Sequence, residues 1–370
     1  MSEVKTCELG DLIEFQRGYD LPKSEFRNGP YPVQSSNGIL GYHIDYKVEG
    51  PGITIGRSGT VGIPHYLNEN FYPHNTTLFV KDFKGNDRKY IYYLLKHLKL
   101  NDFKTGSGVP TMNRNHLHPL KVNAFIDKNY QVKLSSILSI LDQKIALNNQ
   151  INEELEAMAK TLYDYWFVQF DFPDENGKPY KSSGGKMVYN DQLKREIPEG
   201  WGVKQLGELD VATGKRDANF GTENGQYDFW TTANEPIKAD EYSFEGKAIL
   251  IAGNGNFYIN FTEGKFEAYQ RTYVIQSADE NELLFMYPAC LQSIEKLRKG
   301  SNGSIIKYIT IGDVQNISQP HCPVVAKMFV DIFRPIMNTI QKNKQQNQEL
   351  TQLRDWLLPM LMNGQVKVEE

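Results

Sequence analysis

Catalysis needs nucleophiles, acid–base pairs or metal ligands at fixed spacings, and this sequence holds few candidates. Gly50-Pro51-Gly52-Ile53-Thr54-Ile55-Gly56-Arg57-Ser58 has the outline of a phosphate-cradling loop. However, Pro51 stands five positions before Gly56 and Arg57 occupies the place of the required lysine, so phosphate binding is not expected. Pro173-Asp174-Glu175-Asn176-Gly177-Lys178 sets carboxylates beside a lysine, as metal-dependent nucleases do. Those enzymes bring carboxylates together from separate strands, whereas these share one turn, so the segment reads as a solvated loop. His116-Leu117-His118 would place two imidazoles on the same side of a strand. With no cysteine or carboxylate at ligand spacing, a surface role is expected there and not a metal site. Cys7, Cys290 and Cys322 are scattered, which argues against a disulfide framework or zinc site and fits a reducing cytoplasm. There is also no Asn-Pro-Pro-Tyr or equivalent loop to hold an extruded base. The expectation is a binding protein that holds no metal or cofactor of its own.

The elements that must position any binding residues fall into two sets. A chain of 370 residues is too long for one average core and suits two domains. Its 40% hydrophobic and 12% aromatic content are those of a globular protein, not a disordered one. The start, MSEVKTCELGDLIEF, lacks a signal-peptide core, and no run of about 18 apolar residues suggests a membrane span. The formal net charge is −4, but it is unevenly spread. Residues 1–129 carry 16 Lys+Arg against 13 Asp+Glu, and six of the seven histidines. Residues 200–322 carry 11 against 16, a net −5.

The sequence repeats itself at about half its length. Leu9-Gly10-Asp11-Leu12 returns as Leu206-Gly207-Glu208-Leu209. Glu49-Gly50, Ile55-Gly56 and Gly59 return as Glu245-Gly246, Ala252-Gly253 and Gly255, and residues 145–162 map onto 340–357. Each repeat opens with about 120 residues of short β-type runs such as Gly52-Ile53-Thr54-Ile55 and Ala248-Ile249-Leu250-Ile251. A long helical stretch then follows. In the first, a seven-residue step visits Leu134, Leu141, Asn148, Leu155 and Leu162, with Ile137, Leu138, Ile145, Ile151 and Met158 in the same stripe. In the second it visits Phe329, Ile336, Asn343, Leu350 and Leu357. A heptad with a central asparagine is the pattern of a paired coiled coil whose register the amide sets. Asn148 is expected to meet Asn343, and Pro335 to kink the second helix or mark its start. Between the halves, Asp171 to Lys178 and Ser182-Ser183-Gly184-Gly185 read as turn and linker.

These segments resemble a known family, the specificity subunits of type I restriction–modification enzymes. Leu353-Arg354-Asp355-Trp356-Leu357-Leu358-Pro359-Met360-Leu361-Met362-Asn363-Gly364-Gln365-Val366 resembles their distal conserved region. Leu162-Tyr163-Asp164-Tyr165-Trp166-Phe167-Val168-Gln169-Phe170 resembles the end of their central conserved region, and Arg57-Ser58-Gly59-Thr60-Val61-Gly62 a turn of their target recognition domains. The resemblance implies an α+β fold: two repeated mixed α/β target recognition domains separated by a long antiparallel two-helix coiled coil. The first head is 1–129, the central helix 130–170, the linker 171–199, the second head 200–322 and the distal helix 323–370. Each head would read one half of a split site in double-stranded DNA. The helices would serve as ruler, about 40 Å long at 1.5 Å per residue, and as dock for two modification subunits. Those partners would use S-adenosylmethionine to methylate adenine at N6, and restriction subunits would add ATP- and Mg-dependent cleavage. Other expectations are a specificity module of a different restriction or methylation system, and a coiled-coil scaffold binding only proteins. No membrane partner is expected.

Bases are read by two-armed side chains, and phosphates by Lys, Arg, Ser and Thr. In the first head, the polar loops place Gln34, Ser36, Asn37, Arg57, Ser58, Asn75, Thr76, Lys104, Ser107, Arg114 and Asn115 as contact candidates. In the second they place Lys215, Arg216, Thr232, Asn234, Asn254, Asn256, Gln270, Arg271, Ser301, Asn302 and Lys307. Arg57-Ser58 and Asn254 fall at matched places, as do His74-Asn75-Thr76-Thr77 and Tyr269-Gln270-Arg271-Thr272. Different side chains at matched positions are what readers of different half-sites require.

Overall fold

The computed structural model describes residues 3–103, 111–301 and 307–368. It divides into two compact units, residues 1–149 with 343–370 and residues 150–342. In the first unit, Val4–Glu8 pairs antiparallel with Lys121–Phe125 just before the first long helix begins. The apolar run Gly52–Gly56 is buried throughout. It lies inside a four-stranded sheet ordered Glu14–Arg17, Thr77–Asp82, Gly52–Gly56, Pro64–Leu67. A strand paired on both edges and covered on both faces has no need of polar alternation. A smaller sheet holds Gly38–His43, Tyr31–Ser35 and Tyr72–Pro73, the last two parallel.

The second unit repeats this plan. Gly202–Gln205 pairs with Ser318–His321 just before the second long helix. Its larger sheet is ordered Asp210–Thr213, Thr272–Gln276, Ala248–Ala252, Ile259–Thr262. Its smaller sheet is ordered Ile237–Ala239, Tyr227–Trp230, Lys265–Ala268, Phe244–Glu245, and the middle pair is again parallel.

The repeated Leu-Gly-acid-Leu motif has a physical explanation. Glu8 N donates to the Asp11 carboxylate at 2.9 Å, and Gln205 N to that of Glu208 at 2.8 Å, so the acid caps a short helical turn in both units. Leu9 and Leu206 are fully buried. A Cβ at Gly10 would lie 3.1 Å from His118 O, and one at Gly207 3.0 Å from the Gln315 side chain, so both glycines permit close packing.

The long helices are Lys128–Tyr163 and Pro323–Met362. Each gives one half to each unit, a division that differs from the head, helix, linker, head, helix partition of the sequence. The cause is core burial. Leu358, Leu361 and Met362 join Phe15, Ile55, Leu94 and Phe125 in the core of the first unit. Tyr163, Trp166, Phe167 and Phe170 join Ile249, Ile275 and Phe329 in that of the second.

In the first unit the two helix halves run antiparallel, with Arg354 Nη1 2.8 Å from Asp142 Oδ1 and Tyr93 Oη donating to Asp142 Oδ2 at 2.7 Å. The fully buried Asn148 does not take Asn343 as the expected partner. Its Nδ2 donates to Gln346 Oε1 at 2.8 Å and Asn347 Oδ1 at 2.9 Å, one helical turn further along. The second heptad position (326, 333, 340, 347) thus supplies the amide, and not the one visited from Phe329. Met158 is another correction: it is 60% exposed while Ala159 is buried in the stripe. Pro335 does not start the helix, which begins at Pro323 and continues through it.

The expected linker is packed into the second unit. The Asp171 carboxylate accepts from Ser182 N at 2.7 Å and Oγ at 2.6 Å, Met187–Asn190 pairs with Arg195–Pro198, and Phe172 packs on Tyr180 and Trp201. Turns remain around Gly177 and Gly184, whose φ values are +73° and +93°, but they connect packed segments. Aromatic anchors outweigh the Gly/Ser composition there.

Replacing Asn347 alone with leucine removes one acceptor from the buried Asn148 amide and should cost about 1–3 kcal/mol. Replacing Asn148 and Asn347 together should recover most of that loss, because the fully buried amide is gone and Gln346 is only half-buried. Urea unfolding of the double-mutant cycle checks this. Additivity within about 0.5 kcal/mol would mean that the two amides are not coupled.

Candidate nucleic-acid interface

Backbone hydrogen bonds gather the polar loops of each unit. In the first, His74 N donates to Gln34 O at 2.8 Å, Arg57 N to Thr76 O at 2.8 Å and Met112 N to Arg57 O at 2.9 Å. Four segments (34–37, 56–62, 74–77 and 111–115) therefore converge. In the second, Tyr269 N donates to Trp230 O at 2.9 Å, Gly253 N to Arg271 O at 2.7 Å and Ile309 N to Gly253 O at 3.0 Å. Segments 230–232, 253–256, 269–272 and 307–309 occupy the same framework. The match extends to bridges: Ser58 faces Thr111 where Asn254 faces Tyr308, and Tyr19 faces His74 where Arg216 faces Tyr269.

The candidates differ in what they offer. Asn37, Arg114 and Asn115 are exposed in the first unit; Arg57, Ser58, Asn75 and Thr76 are half-buried. In the second, Lys215, Asn234, Asn256, Gln270, Arg271 and Lys307 are exposed, and Arg216, Thr232, Asn254 and Ser301 half-buried. Gln34 and Ser36 must be withdrawn as direct contacts, being 3% and 5% exposed. Gln34 Nε2 donates to Ser35 O and its carbonyl anchors His74, so it braces the loops. Lys104, Ser107 and Asn302 lie outside the described residues.

His116-Leu117-His118 is not a strand. Arg114–Leu117 is a helical turn capped by Asn113, and His118 Nε2 accepts from Phe15 N at 3.0 Å. Burial holds the His65, His74 and His118 imidazoles below the ordinary histidine range. They are therefore mostly neutral at pH 7, and among the described residues of the converging segments Arg57 and Arg114 carry the cationic charge. Burial likewise pushes the Cys290 thiol up, leaving it unreactive.

Sequence reasoning named Asn75, Arg216, Gln270 and Arg271 but missed the residues beside them: Asp20, Tyr308, Glu241 and Glu267. Asn75 Nδ2 donates to Asp20. Tyr308 is exposed beside Asn254. Arg216 is paired with Glu241 and Glu267, 2.6 and 3.2 Å away. Gln270 and Arg271, with Gly253, Tyr273 and Ile309, line a cavity of about 190 Å³. The usable signal was glycine: a Cβ at Gly18 would stand 2.1 Å from His74 O, and one at Gly214 2.2 Å from Tyr269 O. Among the described residues no group of three or more His, Cys, Asp or Glu could hold a metal ion. No helix among them is long and apolar enough to cross a membrane.

Two repeats that present different side chains from one loop framework define a tandem recognition protein. The chain belongs to the family described as the type I restriction modification DNA specificity domain, which matches residues 1–157 and 198–352. It is 29% identical over 314 residues to the type I restriction enzyme MjaIX specificity subunit of Methanocaldococcus jannaschii, covering 76% of this chain and 70% of that protein. To the EcoDI specificity subunit of Escherichia coli it is 34% identical over 180 residues, 47% of this chain and 40% of that protein. The crystal structure of a type I restriction-modification system S subunit from M. genitalium shares the fold. Its TM-score is 0.65 at 16% identity, over 100% of this chain and 97% of that one.

Gly214→Ala should destabilise the second unit by about 3 kcal/mol, the upper end of overpacking costs, since a carbonyl oxygen must move. Thermal unfolding measures the loss, and amide exchange should locate it at 269–272. Full retention of stability would show that the loop is not seated against Gly214.

Proposed function

We propose that each unit reads one half of a bipartite site in double-stranded DNA through its loop set. The observation that carries this reading is the shared framework with unlike residues: Ser58 against Asn254, His74 against Tyr269, Thr76 against Arg271. Backbone bonds fix where the side chains stand, and side-chain identity decides which base edges they fit. The chain itself transfers no methyl group and cuts no DNA. Two modification subunits supply adenine N6 methylation with S-adenosylmethionine, and restriction subunits supply ATP- and Mg-dependent cleavage. Ile140, Leu147, Met158, Leu353 and Trp356 are exposed on the long helices, and these apolar side chains support partner docking there.

The test is to exchange residues 1–129 for the first head of another family member and sequence the methylome of cells carrying each version. One half of the methylated motif should change while the other stays the same. Simultaneous change of both halves would refute independent reading, and the absence of any motif would refute the DNA reading.

A further inference from the structure

Arg216 sits within the loop cluster of the second unit: its carbonyl accepts from Gln270 N at 2.9 Å, and it bridges to Tyr269. Its guanidinium is held on three sides. Nε donates to Glu267 Oε2 at 3.2 Å, Nη2 donates to Glu241 Oε2 at 2.6 Å, and the group lies 4.3 Å from the Phe220 ring centroid. The two carboxylates are unlike. Glu267 is fully buried and also accepts from Ser243 Oγ at 2.6 Å and Ala268 N at 2.9 Å. Glu241 is exposed over 65% of its side chain.

A buried carboxylate is costly to desolvate and persists when its lone pairs are satisfied. Here its partners fix the guanidinium at the Nε end, while Phe220 fixes the plane. That leaves the Nη1–Nη2 end, two parallel N–H groups, as the edge able to engage a ligand. Guanine O6 and N7 fit such a fork, and a fixed orientation suits a base more than a phosphate. Phosphate contact does not require such fixing, and Lys215, Arg271 and Lys307 stand exposed nearby for it. Glu241 meanwhile covers half of the reading edge.

We propose that Arg216 reads a guanine in the half-site of the second unit, with Glu267 as its positioning residue and Glu241 as a displaceable placeholder. This rests on the DNA reading above and assigns it a base class and two supporting residues. An exposed carboxylate on the fork repels phosphates and yields when a guanine supplies both acceptors. Non-specific DNA is thereby held more weakly than the specific site.

The test uses the full chain with its cellular partners, in Arg216→Lys, Glu267→Gln and Glu241→Gln versions. Methylome sequencing gives the motif, and titration of the purified assembly with DNA gives affinity. Arg216→Lys keeps the charge but loses the fork. It should relax one G·C position in one half-site, with roughly 5- to 150-fold less discrimination there. Glu267→Gln should relax the same position and leave the other half-site intact, which also shows that the protein has folded. Glu241→Gln should keep the motif and bind non-specific DNA more tightly than wild type.

An unchanged motif in Arg216→Lys overturns the proposal. So does Glu267→Gln that loses both half-sites or relaxes a different position, since its role would then be structural. Glu241→Gln with unaltered non-specific binding removes the placeholder. If wild type yields no bipartite motif, the DNA reading itself fails, an outcome distinct from all of these.

Discussion

The constraint on which the rest depends is that neither head can bury its core without the end of a long helix. In the first unit Leu358, Leu361 and Met362 close over Phe15, Ile55 and Leu94. In the second, Tyr163, Trp166, Phe167 and Phe170 close over Ile249, Ile275 and Leu284. Each such side chain contributes on the order of 1.5–3 kcal/mol when fully buried. A head deprived of its closing segment would lose several of these contributions at once, a loss comparable to the usual stability margin of a domain. The apolar identities in the two helix-end motifs are therefore tied to packing, whatever the heads recognise.

That division frees the loops. Their positions are held by main-chain bonds such as Arg57 N to Thr76 O and Gly253 N to Arg271 O, which any side chain tolerates. Glycines at 18 and 214 let one loop press on the next where a Cβ would collide with a carbonyl oxygen. Exposed residues such as Asn37, Lys215 and Arg271 can then change without disturbing the core, whereas Thr76, whose hydroxyl accepts from Ser36 N at 3.3 Å, is itself part of the framework. Gln34 shows the limit of this freedom. It sits in a recognition loop but is buried, so its identity answers to packing.

What was legible in the sequence is what repeats. The Leu-Gly-acid-Leu turn and the all-apolar strands Gly52–Gly56 and Ala248–Ala252 all recur in matched places. The seven-residue step also survives in the first long helix, with Leu134 and Asn148 buried. Other features were illegible because they depend on long-range partners. The pairing of Asn148 with Gln346 and Asn347 reflects an axial offset that a heptad pattern leaves open by one turn. Residues 171–199 look like a linker until Phe172 and Tyr180 are seen to pack against one another. Exposure within a polar loop is equally hidden, which is why Gln34 and Ser36 stood among the contact candidates.

The acidity of the second unit bears on how such a protein recognises its ligand. Charges screen one another beyond about 8 Å at physiological ionic strength, so the net −5 of residues 200–322 matters less than its placement. Several of those carboxylates are held in pairs, Glu208 and Glu282 by Lys204, and Glu263 and Glu280 by Lys247. The converging loops instead expose Lys215, Arg271 and Lys307. Local attraction is thus present without a unit-wide positive field. For a DNA reader, a weak general field lowers affinity for the many competing sites more than for the one whose base edges fit. Low net charge therefore does not oppose recognition here; it shifts the balance from capture by phosphate attraction toward discrimination by side-chain geometry.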